Sequence, residues 1–327
     1  MKVAINGFGR IGRAVFKICI DKKINVSVIN DLHGIKDTEY LLKYDSVYGK
    51  YNREVKTQMN NLIIDNKKIK VLSEKEPAKL PWKQLGIDVV IESTGVFKER
   101  SEFENHLKAG AKNVIVTAPS EGVDITIVPG VNENKLSKKH KIISVASCTT
   151  NAAAIVIKIL KDSFGVENAL INTTHAYTSD QSIIDTSHKK FRRGRAAAQN
   201  IIPTSTGSSK AVCEVIPELK NHINGIAIRV PVIDGSIVDV TAILRKKVSA
   251  ERINEVFKKM AKTKYKNLLE YSEEELVSQD IIGNTNSAII DGKMTMVEGN
   301  LAKVLAWYDN EYGYSMRVTE VVEMLTR

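Results

Sequence analysis

One cysteine, Cys148, lies in the segment SVASCTTNAAAI, where hydroxyl side chains flank it and an apolar helical run follows. A thiol in the first turn of a helix meets the positive end of the helix dipole, which favours the thiolate that attacks carbonyl carbons. His175, in HAYTSDQ, is either a structural histidine or the base that accepts the thiol proton. The hydroxyls of Ser147 and Thr149 either cap the helix or bind an anion. The segment predicts a nucleophilic cysteine near an anion.

A second anion contact is predicted by Arg229, which interrupts the apolar strand-like run GIAIRVP. An arginine is costly to bury without an anionic partner, so its place in such a strand indicates a bound anion. Sequence alone does not show whether this arginine lies near Cys148.

The N-terminus carries the pattern of a dinucleotide-binding unit. The apolar run KVAIN is followed by GFGRIG, with Gly7, Gly9 and Gly12, then by a helical segment and by NVSVIND, which ends at Asp31. An acidic residue about 20 residues beyond the glycines is the group that binds an adenosine ribose. The alternative is a glycine-rich turn without a ligand, but the order of strand, glycines, helix, strand and acid favours a bound pyrophosphate.

Further apolar runs predict an α/β fold with a doubly wound parallel sheet, and they are DVVIEST (88–94), NVIVTAP (113–119), ITIVPG (125–130) and KIISVAS (141–147). The stretch 50–80 predicts an antiparallel insertion. After Cys148, strand-like runs with few helices predict a second, α+β domain on a mostly antiparallel sheet. We expect one domain at 1–147 plus a C-terminal helix at 312–327, and another at 148–311 with an irregular loop at about 177–202.

Composition narrows the classes of function. Of the 327 residues 43% are hydrophobic, and no window predicts a membrane span or a signal peptide. Three cysteines without metal-binding spacing fit a reducing cytoplasm. The net charge is +10 and KKFRRGR is a basic patch, but the other lysines are scattered. Phosphorylated small molecules fit this charge as well, so nucleic acid is not the expected main partner.

Seven motifs together resemble the phosphorylating glyceraldehyde-3-phosphate dehydrogenases, and they are INGFGRIGR, LLKYDSVYG, ESTGVF, ASCTTN, RAAAQNIIPTSTG, INGIAIRVP and WYDNEYGYS. The resemblance runs from residue 3 to about residue 325. It implies a Rossmann-type NAD domain, a homotetramer, and oxidation of glyceraldehyde 3-phosphate with inorganic phosphate through a cysteine thioester. Two alternatives are an erythrose-4-phosphate dehydrogenase, which releases its acyl group to water, and a nucleic-acid-binding protein. The intact TSTG and HAYTSDQ motifs argue against the first.

The resemblance also implies residue roles, with Cys148 as nucleophile and His175 as base. The residues implied for the attacking phosphate are Ser147, Thr149, Thr206, Gly207 and Arg193. Those implied for the phosphate of the substrate are Thr178, Asp180 and Arg229. Those implied for NAD, besides the three glycines, are Arg10, Ile11, Asp31, Lys75, Ser93, Thr94, Gly95, Thr117 and Asn310.

Some positions depart from the usual pattern of that family. Val145 and Ala152 replace an asparagine and a second cysteine, and Lys75 replaces an arginine near the adenine. Ser187 stands where NAD-specific forms carry proline, and a hydroxyl there is often found in forms that accept NADP. Asp31 argues against NADP because its carboxylate repels a 2′-phosphate. We therefore expect NAD to be preferred, with NADP as a weaker alternative.

Overall fold

Two compact units make up the chain in the computed structural model, which describes residues 1–326. The first unit comprises residues 1–127, 134–146 and 315–326, and the second comprises 128–133 and 147–314. Residues 128–133, which the sequence-based division placed in the first domain, belong to the second unit. Gly130 lies close against this unit, because a Cβ built on it would lie 2.8 Å from the Leu268 side chain and 3.2 Å from that of Tyr265.

The first unit is built on the short apolar runs of the N-terminal half. Its strands are β1 (Val3–Asn6), β2 (Val26–Asn30), β3 (Tyr44–Asp45), β4 (Gly49–Lys50), β5 (Val55–Gln58), β6 (Asn61–Ile64), β7 (Lys67–Leu72), β8 (Val89–Glu92), β9 (Asn113–Val116), β10 (Ile125–Thr126) and β11 (Ile142–Ser144). Its helices are α1 (Arg10–Asp21), α2 (Gly34–Lys43), α3 (Trp82–Leu85) and α4 (Arg100–Lys108).

A nine-stranded sheet runs in the order β10-β11-β9-β8-β1-β2-β7-β6-β5, and β3 pairs separately with β4. From β10 to β7 all neighbours are parallel, whereas β6 and β5 add antiparallel pairs. This confirms the predicted parallel sheet, and the antiparallel pairs lie within the stretch 50–80. β1 and β8 are buried along their whole length, as expected of strands covered on both faces.

All four of the predicted strands are too long: the run 88–94 forms a strand only at Val89–Glu92, and the run 141–147 only at Ile142–Ser144. The run 125–130 forms a strand only at Ile125–Thr126, and the run 113–119 ends at Val116. In the middle of the sheet, β1, β2 and β8 end on the polar side chains of Asn6, Asn30 and Glu92. Ligands bind at such carboxyl ends in doubly wound sheets.

The second unit contains the remaining strands and helices. Its strands are β12 (Val166–Ala176), β13 (Ile202–Ser205), β14 (Ile223–Val230), β15 (Ser236–Leu244), β16 (Leu269–Ser272), β17 (Ala288–Asp291), β18 (Met296–Glu298) and β19 (Leu301–Tyr308). Its helices are α5 (Cys148–Phe164), α6 (Ser208–Val215) and α7 (Ala250–Lys262), while the last helix, α8 (Tyr312–Met324), starts in this unit and ends in the first.

An eight-stranded sheet follows the order β13-β14-β12-β15-β19-β17-β16, with β18 paired to β19. Only β12 with β14 and β16 with β17 are parallel, which confirms a mostly antiparallel sheet. β15 alternates buried and half-buried residues, and its buried face packs against the apolar helix α5. In residues 1–326 no helix is both long and apolar enough to cross a membrane.

Candidate active site

Cys148 is the first residue of α5, a short turn after β11. The hydroxyl of Ser147 caps this helix, because its Oγ accepts a hydrogen bond from the backbone N–H of Thr150 at 3.1 Å. The thiol is half-buried and lies in the first turn of a helix of 17 residues, where the dipole favours negative charge. The structure therefore places the sulfur as the sequence predicts, with Ser147 as the helix cap.

His175, near the end of β12, lies beside the sulfur: 3.4 Å separates its Nε2 from the Sγ of Cys148. Its other nitrogen, Nδ1, is 2.7 Å from the carbonyl oxygen of Ala176. The Nη1 of Arg229 also lies 3.2 Å from Nδ1, but the carbonyl contact is the shorter one. A carbonyl oxygen only accepts, so Nδ1 carries the hydrogen and Nε2 presents a lone pair to the thiol. The imidazole is thus oriented to accept the thiol proton.

Tyr308, at the end of β19, was not predicted from the sequence. Its hydroxyl forms hydrogen bonds of 2.8 Å with the hydroxyls of Thr149 and Thr173, and its ring meets the His175 ring edge to face at 6.0 Å. The hydroxyl of Thr149 is thereby held by Tyr308, and its hydrogen bond acts to lower the pKa of the Cys148 thiol. Tyr308 fixes the packing of the histidine.

The electrostatic surroundings decide the resting form of the pair. Burial raises the pKa of the Cys148 thiol, although the charge of Arg229 and the backbone N–H of Thr149 oppose it. Burial lowers the pKa of His175, and Arg229 lowers it further. Each group alone therefore favours its neutral form. Transfer of the proton between them creates two opposite charges in contact, which stabilise each other in a site of low dielectric constant.

Arg229 reaches this pair because β14 lies parallel to β12 with Arg229 directly opposite His175. Its Nη1 donates to the carbonyl oxygen of Ala176 and to the hydroxyl of Thr178, each at 3.0 Å. Its Nε is buried and has no hydrogen-bond partner among residues 1–326. A buried guanidinium with a free N–H is suited to receive an anion.

Asp180 connects Arg229 to a second arginine. The hydroxyl of Thr178 donates to the Asp180 carboxylate, which also pairs with the guanidinium of Arg193. Burial acts to raise the pKa of Asp180, but the Thr178 hydroxyl and Arg193 outweigh it, so that the pKa lies below its usual range. Arg193 also donates to the Thr204 hydroxyl at 3.0 Å, at the end of β13. The two arginines thus share one carboxylate.

A third group forms where α5 and α6 begin. The Oγ atoms of Ser147 and Ser208 are 3.5 Å apart, and the Thr206 hydroxyl donates to Ser208 at 2.9 Å. Gly207 caps α6, and a Cβ built there would meet no atom within 4 Å. Two helix N-termini with hydroxyl groups beside them, and with free space at Gly207, are suited to bind an anion.

In the first unit, Gly7 and Gly9 of the GFGRIG motif border a cavity of about 490 Å³. A Cβ on Gly12 would lie 2.2 Å from the Gly7 oxygen, and one on Gly7 would lie 2.6 Å from the Thr94 nitrogen, so both positions require glycine for packing. A Cβ on Gly9 would meet nothing within 4 Å. The protein itself does not require glycine at position 9, which fits the close approach of a ligand to the start of α1.

Asp31 lies on the wall of this cavity and is held in place. One of its oxygens accepts from the backbone N–H of Phe8 at 2.8 Å, and the other accepts from the N–H of His33 and contacts its ring at 3.0 Å. The other predicted cofactor residues that line the cavity are Gly7, Gly9, Lys75, Ser93 and Thr94.

The remaining predicted cofactor residues lie elsewhere. The side chain of Arg10 pairs with Asp45 and does not line the cavity, and its role in the phosphate turn stays a prediction. Ile11, Gly12, Gly95 and Thr117 are also outside the lining. Ser187 and Asn310 belong to the second unit. The Asn310 oxygen accepts from the Ser236 hydroxyl at 2.7 Å, which leaves its amide N–H groups to donate.

Sequence comparison agrees with both units. Residues 1–100 match the family described as glyceraldehyde 3-phosphate dehydrogenase, NAD binding domain, and residues 147–310 match its C-terminal domain. The chain belongs to the glyceraldehyde 3-phosphate dehydrogenase family. The enzyme of that name from Thermotoga maritima is 52% identical, with 100% of this chain and 99% of the relative covered. Enzymes from Borreliella burgdorferi and Bacillus subtilis (its dehydrogenase 1) are each 50% identical, covering 100% of this chain and 100% and 98% of theirs.

Membership of this family confirms the resemblance drawn from the motifs, the NAD cofactor and the class of oxidoreductase. Two departures from the usual dehydrogenase pattern, Val145 and Ala152, are fully buried. The other, Lys75, lines the cavity.

Proposed function

We propose that the protein oxidises D-glyceraldehyde 3-phosphate with NAD and inorganic phosphate to 1,3-bisphosphoglycerate. The observation that carries the proposal is the 3.4 Å contact between the Cys148 sulfur and a histidine nitrogen that presents a lone pair, beside the buried guanidinium of Arg229. The Bacillus and Borreliella relatives bear the name of this enzyme.

The chemistry begins when the sulfur of Cys148 attacks the aldehyde carbon and its proton passes to Nε2 of His175. The imidazolium then donates to the developing oxyanion, which gives a thiohemiacetal. As the thiohemiacetal is oxidised, His175 takes the hydroxyl proton back and a thioester remains on the sulfur. NAD, when bound, accepts the hydride that leaves the carbon.

Phosphate completes the cycle by attacking the thioester carbon, so that a C–O bond forms and the C–S bond breaks. The thiolate of Cys148 is the leaving group, and the acyl phosphate departs. The departing sulfur regains its negative charge in the first turn of α5, where the helix dipole stabilises it.

Two groups of side chains are suited to the two anions. We assign the phosphate of the substrate to Arg229 and Thr178, oriented by Asp180, because the Nε of Arg229 is free to donate. We assign the attacking phosphate to the hydroxyls and helix N-termini around Ser147, Thr206 and Gly207, with Arg193 close to Thr206 through β13.

We further propose that the first unit holds NAD and that Asn310 donates to the nicotinamide carboxamide. A nucleophilic thiol must stay reduced, so the cytoplasm remains the predicted location. The basic patch at 189–195 is partly neutralised by Asp180 and Asp185. These ion pairs indicate that its arginines stabilise the loop rather than bind nucleic acid.

A steady-state assay tests the proposal. NADH formation is measured with glyceraldehyde 3-phosphate or erythrose 4-phosphate, each with and without inorganic phosphate. We expect rapid turnover only with the triose phosphate and only when phosphate is present. Phosphate-independent oxidation of erythrose 4-phosphate at a higher kcat/KM would instead identify an erythrose-4-phosphate dehydrogenase.

A further inference from the structure

Glu92, the last residue of β8, is a buried carboxylate that no step of the proposed reaction uses, and only 3% of its surface is exposed. One oxygen accepts from the Asn6 amide at 2.5 Å and lies 3.1 Å from Nε2 of His106. The other accepts from the backbone N–H of Thr94 at 2.9 Å and from the Thr94 hydroxyl. Four donors therefore surround one carboxylate.

The arrangement of hydrogen-bond donors and acceptors determines the charge of His106 and Glu92. The indole N–H of Trp82 donates to Nδ1 of His106 at 3.0 Å. An indole nitrogen is only a donor, so Nδ1 is the acceptor and Nε2 carries the hydrogen that faces Glu92. His106 is neutral in this arrangement, and the four donors rather than an opposite charge stabilise the Glu92 carboxylate.

The array continues to the wall of the nucleotide cavity. The Asn30 amide donates to the Asn6 oxygen at 2.7 Å, and the backbone N–H of Glu74 donates to the Asn30 oxygen at 2.8 Å. Asn30 thereby holds the Asn6 oxygen, which leaves the Asn6 amide N–H directed to Glu92. Asn6, Asn30, Glu74 and Thr94 line the cavity, whereas Glu92 itself lies behind this lining.

The Glu92 carboxylate also holds in place the glycine turn at Gly7, which precedes α1. Gly7 packs so closely against Thr94 that a Cβ on it would lie 2.6 Å from the Thr94 nitrogen, the atom whose hydrogen Glu92 accepts. The Ser93 hydroxyl donates to the Gly7 oxygen at 2.7 Å. A shift of Thr94 would therefore move the turn that opens α1.

We propose that Glu92 is a positioning residue for the cofactor, whose ionised carboxylate holds Asn6, Thr94 and the Gly7 turn in their binding arrangement before NAD arrives. A glutamine does not replace it, because its amide N–H groups would face donors that need an acceptor. The proposal rests on the binding of NAD by the first unit.

The test is binding, without turnover, of NAD and of ADP-ribose to Glu92→Gln by calorimetry. We expect Kd for both to rise at least tenfold. Alkylation of Cys148 by iodoacetamide without NAD should stay within twofold of wild type, because His175, the base that contacts the sulfur, belongs to the second unit and Glu92 to the first. An unchanged Kd would overturn the proposal, whereas a wild-type protein that fails to bind NAD would overturn the proposed function instead.

Trp82→Phe is the matched control, since it removes one hydrogen bond from the same cluster without touching Glu92 or the cavity. It should lower the melting temperature and leave Kd within threefold of wild type. Equal weakening of NAD binding in both variants at equal loss of stability would show a purely structural role and refute the proposal. If Glu92→Gln does not fold, Glu92→Asp is used instead, because it keeps the charge but withdraws it from Thr94. An unchanged Kd for ADP-ribose in that variant would also overturn the proposal.

Discussion

The sulfur of Cys148 differs from those of the other two cysteines in its surroundings. Cys19 is buried in the core, where burial raises the pKa of its thiol to about 12, and burial also raises the pKa of Cys213. Only Cys148 has a base within contact distance. Cys148→Ala should therefore abolish turnover while leaving the Kd for NAD nearly unchanged, and Cys213→Ala should stay close to wild type. Substantial NADH formation by the alanine variant would refute the thioester mechanism.

His175→Asn removes the base and keeps a side chain that can hydrogen-bond. The rate should fall by roughly 10²–10⁴-fold, the usual scale for general acid–base catalysis. Iodoacetamide alkylation near neutral pH should slow as well, because the thiol proton no longer has an acceptor at Nε2. An unchanged alkylation rate would mean that the helix dipole alone activates the sulfur.

Arg229→Met keeps much of the side-chain volume and removes the charge. Arg229 lowers the pKa of both Cys148 and His175, so its loss should raise both. The pH profile of alkylation should then shift to higher pH, and KM for glyceraldehyde 3-phosphate should rise by more than tenfold. Arg195→Met, an exposed arginine paired with Asp185, is the control. A profile that does not move would place the charge of Arg229 outside the reach of the thiol.

At the level of elements, the sequence predicted a helix or strand correctly where the residues that determine it lie within one segment. The strand, glycines, helix and second strand from Val3 to Asn30 follow the predicted order, and the helix after Cys148 begins at the predicted thiol. Strand ends were less predictable, because the apolar residues of 125–130 turn away from the sheet after Thr126 and continue into the second unit.

Contacts between distant segments could not be predicted from local patterns. Arg229 lies opposite His175 only because β14 adds to β12 in parallel, a register that neither strand specifies alone. Tyr308 and Glu92 were missed for the same reason, since their partners come from distant segments of the chain. The aromatic residue in WYDNEYGYS and the acid in ESTGVF were visible, but their surroundings were not.

At the level of the whole molecule, apolar surface remains exposed on the second unit. Ile183 and Phe191, in the irregular loop at about 177–202, are 84% and 89% exposed, and Leu170 on the sheet is 63% exposed. Large apolar side chains exposed to this extent are expected where one subunit meets another. We predict a homotetramer, to be measured by light scattering at micromolar concentration, and a monomeric mass would refute it.

The preference for NAD or NADP depends both on single residues and on the assembly of subunits. Asp31 is fixed by Phe8 and His33 on the wall of the nucleotide cavity, where its carboxylate would repel the 2′-phosphate of NADP. Ser187 lies in the exposed loop of the second unit, beside His188 and Lys189. In a tetramer we expect this serine to contact the cofactor of a neighbouring subunit.

A charge at close range outweighs one neutral hydrogen bond, which contributes about 1 kcal/mol against about 1.5–3 kcal/mol for a bond to a charged group. NAD should therefore have the higher kcat/KM in the natural protein. Asp31→Gly should narrow or reverse that preference, because it removes the repelling carboxylate, whereas Ser187→Pro should sharpen it by removing the hydroxyl. The ratio of kcat/KM for the two cofactors in the three proteins measures this, and a natural protein that prefers NADP would show that the serine outweighs the aspartate.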